Sequence, residues 1–336
     1  MKLVRDFGIF ALCATLGLAL FPELVRAQSC QTSGELDDAT RTSINTAGQR
    51  TFELAAKGDV ASLRQNSIPS LSADFSAVES RVKEHQQSLA GAQATVNATF
   101  LLDASGSNPI SHAEFLCGVF GKNGQTANSA AFNFDNLPAG KYAVVILEVN
   151  PGSGKTSFAV MLQQAGKEWK LGNLFIVPST IGGHDSAWFL ARAREYKSKG
   201  QMHNAWLFYL LARNMISPMP FMYTQATDKL YDEWHNSQPG DWPADGKTTD
   251  LATGAASYKL TTVFPVPSGN DLDLIVKYQS SNASNSALAY QDNLSVIKGF
   301  VAKYPEVRDA FTAVVARAVG TGGQDYGTLL AMKDIK

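Results

Sequence analysis

Five histidines and three cysteines are all that 336 residues hold of those metal-ligating side chains, and no Cys-x-x-Cys pair or His/Cys cluster brings them together. That excludes a zinc-stapled module, which needs four such ligands at short spacing. An excess of charge of one sign is missing too: 29 Lys and Arg stand against 30 Asp and Glu, a formal net charge of −1 at pH 7. No basic run dense enough to track a phosphate backbone occurs, so nucleic acid is not an expected partner. After Phe21 no apolar run approaches the ~20 residues that a membrane-spanning helix needs. What remains is an ordinary globular composition, 45% hydrophobic and 18% charged, long enough for two or three domains.

The first 27 residues differ in kind. Lys2 and Arg5 precede an apolar run over 7–21, and Val25-Arg26-Ala27 follows. This three-part pattern predicts a secretory signal peptide over 1–27, cleaved after Ala27. The expectation is therefore an exported chain, periplasmic or extracellular, with no transmembrane segment after cleavage. Cys13 leaves with the signal, so Cys30 and Cys117 remain. In an oxidising compartment they could form a disulfide. Two features point the other way: Cys30 sits in a polar N-terminal stretch read as mobile, and Cys117 alternates with Phe115 and Val119 on one strand face. A buried cysteine acting as a small hydrophobe accounts for that pattern.

From Leu36 to about Leu89 the spacing is helical. Ile44, Ala47, Gly48, Phe52 and Ala55 recur at helical intervals, and Lys57-Gly58-Asp59 reads as a stop and a restart. A second helix, VASLRQNSI, ends before Pro69, and a third runs to Leu89 from a cap at Ser76. The period then falls to two. TVNATFLLDA, AEFLCGVFG, SAAFNFDNL, GKYAVVILEV, TSFAVMLQQ and EWKLGNLFIV read as strands, antiparallel because their connections are too short for parallel crossovers. With AAKGDVASL, and with Ala165-Gly166-Lys167 turning into Trp169-Lys170-Leu171, residues 36–178 resemble the NTF2-like (SnoaL-like) α+β cone fold. The resemblance implies N-terminal helices on an antiparallel meander sheet with a concave pocket. It implies no single function, because that family holds enzymes, binding proteins and structural modules.

Helical spacing returns over 184–237. Ala193, Ala205 and Ala212 fall on the small positions of a tetratricopeptide repeat, and Tyr196 and Tyr209 on its aromatic positions. Gly200 and Pro218 fall on its turn and closing proline. Phe189 stands at the usual Trp and Arg192 departs from the expected Leu. The segment resembles one such repeat, with small residues letting two antiparallel helices approach. Trp206-Leu207-Phe208-Tyr209-Leu210-Leu211 is apolar all round, so the hairpin must dock on its neighbours. TDKLYDEWHNSQ predicts a further helix capped by Thr227 or Asp228. Residues 238–256 have linker composition, and 257–336 read as a small ββαββ domain. There Tyr258, Leu260, Thr262 and Phe264 are placed on one strand face, and Tyr290, Leu294, Ile297, Val301 and Tyr304 on one helix face. The expected fold class is α+β.

Candidate chemistry is sparse. KYAVVILEVNPGSGKT ends in Gly154-Lys155-Thr156 as a phosphate-binding P-loop does, but that motif requires glycine where Val149 stands and a helix after Thr156. Thr156, Phe158, Val160 and Leu162 alternate as a strand, so the stretch predicts a β-hairpin and no nucleotide site. His184, Asp185 and His203 could meet as a metal or acid–base group, but their spacing matches no motif; a helix cap at Asp185 or Ser186 and a surface His203 are the simpler account. Glu114 and His112 lie on the strand face opposite Cys117 and do not converge on it. Asp271 and Asp273 share a face with Lys277 and read as solvated. Trp188, Trp206, Phe208, Trp234 and Trp242 could line a groove or hold domains together.

These residues favour a non-catalytic binding or scaffolding protein of the bacterial periplasm or cell envelope. It would need no cofactor, its partner would be a protein or an envelope component, and His184, Asp185, His203 and Trp206 would mark its surface. The alternative is a pocket enzyme of the NTF2-like type with a buried carboxylate as general base.

Overall fold

The unbroken apolar stretch Tyr142-Ala143-Val144-Val145-Ile146-Leu147 is the strand about which the first half of the chain is assembled. A strand with one wet face alternates; one covered on both faces has no reason to. A computed structural model describes residues 28–106, 108–122, 124–150, 154–244, 246–254 and 256–336. The expected signal peptide and residues 151–153 of the expected hairpin loop lie outside the described residues.

The chain begins with β1 (Ser29–Thr32) and the helices α1 (Asp38–Lys57), α2 (Val60–Gln65), α3 (Pro69–Ala73) and α4 (Ser76–Leu89). Gly58 ends α1 in the left-handed conformation, φ 67°, and Asp59 at once caps α2 through the Ser62 N–H. Six strands follow: β2 (Gln93–Ala104), β3 (Ile110–Gly121), β4 (Gly124–Leu137), β5 (Gly140–Asn150), β6 (Thr156–Ala165) and β7 (Glu168–Pro178). All six match the strands expected, and all pair antiparallel. They divide between two sheets. β2 pairs with β5, giving the order β1-β2-β5-β6-β7, while the β3–β4 hairpin leaves to form a second sheet.

The five-stranded sheet is therefore sandwiched. Ala143, Val145, Leu147, Phe158 and Val160 face Ile44, Phe52, Leu63 and Val82 of the helices. Val144, Ile146 and Ala159 face Phe115, Cys117 and Phe132 of the second sheet. Cys117 is disulfide-bonded to Cys30 in β1. The reading of Cys117 as an unpaired hydrophobe and of Cys30 as mobile is thus corrected. Periodicity reports which face a residue takes; it carries nothing about a partner 87 residues away.

Past two short strands, β8 (Thr180–Ile181) and β9 (His184–Asp185), come α5 (Ser186–Ser198) and α6 (Met202–Ile216). Then follow β10 (Met222–Tyr223) and α7 (Gln225–His235). Thr224 caps α7 in a reciprocal box with Thr227, three residues before the expected start. α6 is buried on every side, as its composition requires. It shares one core with the C-terminal strands β11 (Thr249–Thr253), β12 (Ala256–Ser268), β13 (Asp271–Gln279), β14 (Ala313–Val319) and β15 (Asp325–Ala331), and with α8 (Ser286–Lys303). β13 and β14 run parallel across α8, and the remaining neighbours are antiparallel. The chain is thus a mixed α+β protein with a strand-rich C-terminal part.

Residues 238–256 do more than link. Trp242 is buried in the shared core and β11 adds an edge strand to β12. A bulge between Leu260 and Thr262 turns β12 over, so Leu260 and Val263 enter the core and Phe264 faces away. The expected common face of Tyr258 through Phe264 is broken there. Asp273, read as solvated, is buried and accepts from Thr312 Oγ1 at 2.9 Å.

Candidate functional site

The Gly-Lys-Thr stretch leads into a strand. Thr156 opens β6 opposite Val149 of β5, and Lys155 Nζ bonds Glu148 Oε1 at 2.9 Å. A P-loop requires a helix after its threonine, and here Thr156 starts a strand instead.

His184, Asp185, His203 and Trp206 do not share a site. Asp185 caps α5 by accepting from the Trp188 N–H at 2.9 Å, and the His184 ring stacks on Trp188 with centroids 3.7 Å apart. His203 opens α6 at the other end of the hairpin, the length of a 13-residue helix away, or ~20 Å. Trp206 is 5% exposed and stacks on Trp234 in the core, so it presents no surface.

His203 is the most heavily engaged of the four, and it is no free surface residue. Its Nδ1 lies 2.8 Å from Glu306 Oε1 and its Nε2 lies 2.9 Å from Asp241 Oδ1. Trp242 and Tyr304 wall the ring, with centroids at 4.7 and 4.6 Å. Burial pushes the Asp241 carboxyl up, but the bond and charge of His203 outweigh it and hold it below its ordinary value. With both nitrogens occupied, the imidazole is a clasp among α6, the 3-10 turn Pro305–Asp309 and the segment of Asp241.

An open groove lies where α6 meets the N-terminal sheets. Pro218 and Pro220 prevent α6 from continuing, and the chain crosses the second sheet, burying Met219 and Met222. β10 then extends that sheet beside β4, and α7 returns alongside α6. The groove left between these turns holds ≈ 660 Å³, within the ordinary range for small-ligand sites. Its apolar lining comes from Phe175, Val177, Pro218, Met219 and Met222, and its rim from Tyr223 and Tyr231, 39% and 43% exposed.

Two charged groups face it. The Arg213 guanidinium lies over the rings of Tyr231, at 5.1 Å, and Trp234, at 4.7 Å. Among the described residues it has no carboxylate partner. Asp228 stands on the first turns of α7, its carboxyl raised by partial burial and by the charge of Asp232 one turn on, against a bond from Thr227. Sequence reasoning passed over both. The signal was present only as an Arg at the end of an otherwise apolar helix, followed by Ser-Pro-Met-Pro.

Between the helices and the sheet, where a cone-fold pocket is expected, the centre is packed, and a cleft of ≈ 350 Å³ remains at one margin, where Thr51, Leu54 and Leu63 face Trp169 and Lys170. Phe52 and Phe158 meet edge to face in the centre at 5.4 Å among aliphatic side chains. Asp273, the one buried acid among the described residues, belongs to the C-terminal sheet. No protein family, curated protein or solved structure matches this chain.

Proposed function

We propose that the chain is an exported, non-catalytic binding protein of the periplasm or cell envelope, and that the groove beside Arg213 holds an acidic ligand with an apolar body. Arg213 carries this reading. A guanidinium held over two aromatic rings and without a carboxylate partner among the described residues has N–H donors to offer, and arginine takes carboxylate or phosphate through paired hydrogen bonds. Phe175, Val177 and Pro218, all half-buried, offer apolar surface beside it. The N-terminal layers and the C-terminal sheet then serve as the rigid frame for a site built from loop and helix ends.

The test is a retention experiment. Purified wild type and Arg213→Ala are incubated with envelope extract, washed, denatured, and the released compounds compared by mass spectrometry. An acidic compound retained about ten-fold more by wild type is expected, since a charge-assisted pair contributes ~1.5–3 kcal/mol. Identical release profiles from the two proteins refute the assignment.

A further inference from the structure

Asp228 lines the same groove as Arg213, from α7. It is exposed, and its carboxylate has no cationic partner among the described residues. Asp228 and Tyr231 are three residues apart and so share a face of α7, with ~4.5 Å of helix rise between them. Along α7 the order is Asp228, Tyr231, Trp234, and the Arg213 guanidinium lies over the last two rings. Two opposite charges therefore open onto one groove without pairing.

Only a ligand carrying both signs answers both charges at once. A purely anionic ligand at Arg213 would set a second negative charge near Asp228, whose carboxyl is already raised by partial burial and by the charge of Asp232. An ammonium against Asp228 offsets both causes. We propose that the groove takes a zwitterionic ligand, an amino acid or a short peptide, whose carboxylate pairs with Arg213 and whose ammonium pairs with Asp228. The assignment rests on the groove being a site for an acidic ligand and narrows the class of that ligand.

The walls suit such a ligand as well. Arginine takes a carboxylate through two parallel N–H bonds. The half-buried Phe175, Val177 and Pro218 supply apolar surface for a side chain. The volume, ≈ 660 Å³, lies in the range of small-ligand sites. A free amino acid holds its two charges on one carbon, and the terminal charges of a peptide stand farther apart. Both sources share the chemistry, and the experiment separates them.

Equilibrium dialysis of the purified protein, read by mass spectrometry, tests the proposal with two pools: the common free amino acids, and a digest of short peptides. Each pool is used untreated, with its amines acetylated, and with its carboxylates methylated. Wild type is expected to retain members of one untreated pool, and the pool retained names the source. Acetylation is expected to weaken that retention by about five-fold, and methylation by about ten-fold. Asp228→Asn, a conservative change at an exposed position, is expected to retain untreated and acetylated forms alike and to keep the loss on methylation. Its circular dichroism spectrum should match that of wild type. Equal retention of acetylated and untreated forms by wild type overturns the zwitterion and leaves an acidic ligand standing. Equal retention of methylated forms removes the role of Arg213 as well. Retention of neither pool by wild type refutes the amino-acid class.

Discussion

Cys30 and Cys117, 87 residues apart in sequence and 5.1 Å apart at their Cα atoms, join the edge of the five-stranded sheet to the sheet that covers it. The bond holds β1 against β3 where the two sheets have no shared ladder, and Gln28 Oε1 reinforces the contact by accepting from the Glu114 N–H at 2.7 Å. Closing a loop of this length stabilises by up to ~4–5 kcal/mol in the chain-entropy picture. Replacing both cysteines with alanine is therefore expected to lower the guanidinium midpoint substantially, and reductant should do the same to wild type. Coincident unfolding curves with and without reductant would show that the bond contributes nothing.

His203 is expected to be worth more to stability than a helix-surface residue. Its two ring contacts go to carboxylates, and it fills the space between Trp242 and Tyr304. His203→Ala should cost about 3 kcal/mol, from charge-assisted hydrogen bonds and lost packing together. A double-mutant cycle with Glu306→Gln separates the two contributions, and a coupling energy above ~0.5 kcal/mol is expected for residues in direct contact. A coupling near zero would reduce His203 to a packing element.

Stability should fall at both ends of the pH scale, for different groups. At the acid end, the Arg194 bond outweighs burial and holds the Glu233 carboxyl below its ordinary value. Asp241 is held low by His203 against its own burial. Their contribution is present above the unfolded carboxylate range of ~4 and is lost as pH falls through their folded values. At the alkaline end, burial pushes Tyr209 from 10.0 up to about 12, with Glu233 adding to it. Tyr278 and Tyr304 are raised further by the same cause. Folding there is fully supported below pH ~10 and weakens as pH rises past it, because only the unfolded chain can ionise these phenols readily. Urea midpoints measured from pH 3 to 11.5 should be level in the middle and drop at both ends. A curve level up to pH 11.5 would contradict the burial of the three tyrosines.

Much of this architecture is local and was legible as such. The six N-terminal strands, the stop at Gly58 and the all-round burial of α6 follow from spacing and turn chemistry. What escaped depends on contacts that no local pattern encodes. β2 could have paired with β3 or β5 equally well by alternation, and only the two-sided apolar run of β5 hinted that a second layer would cover it. Tyr290 was placed on the buried face of α8, yet it is 43% exposed and Ala289 and Asn293 take the interior. There a buried Asn that bonds Tyr278 Oη and Thr328 outweighed a larger aromatic residue three positions away. The groove at Arg213 was illegible for a further reason: its walls come from β7, α6, β10 and α7, and their meeting is set by tertiary packing.

Gly48 provides the closest test of how α1 sits on the sheet. A Cβ added there would lie 2.9 Å from Val145 Cγ1 and 3.0 Å from Val145 Cβ. Alanine should gain ~1 kcal/mol over glycine in a helix interior. Overpacking costs ~1–3 kcal/mol, and Val145 is fully buried and β-branched, so it cannot swing aside. The packing cost should win, and Gly48→Ala is expected to destabilise by about 1 kcal/mol despite its better helix propensity. Val145→Ala removes the methyl groups in the way, so adding Gly48→Ala to that background should restore stability. The chemical-denaturation cycle of the two variants reads this directly, and a Gly48→Ala protein more stable than wild type would mean that α1 stands further from β5 than described.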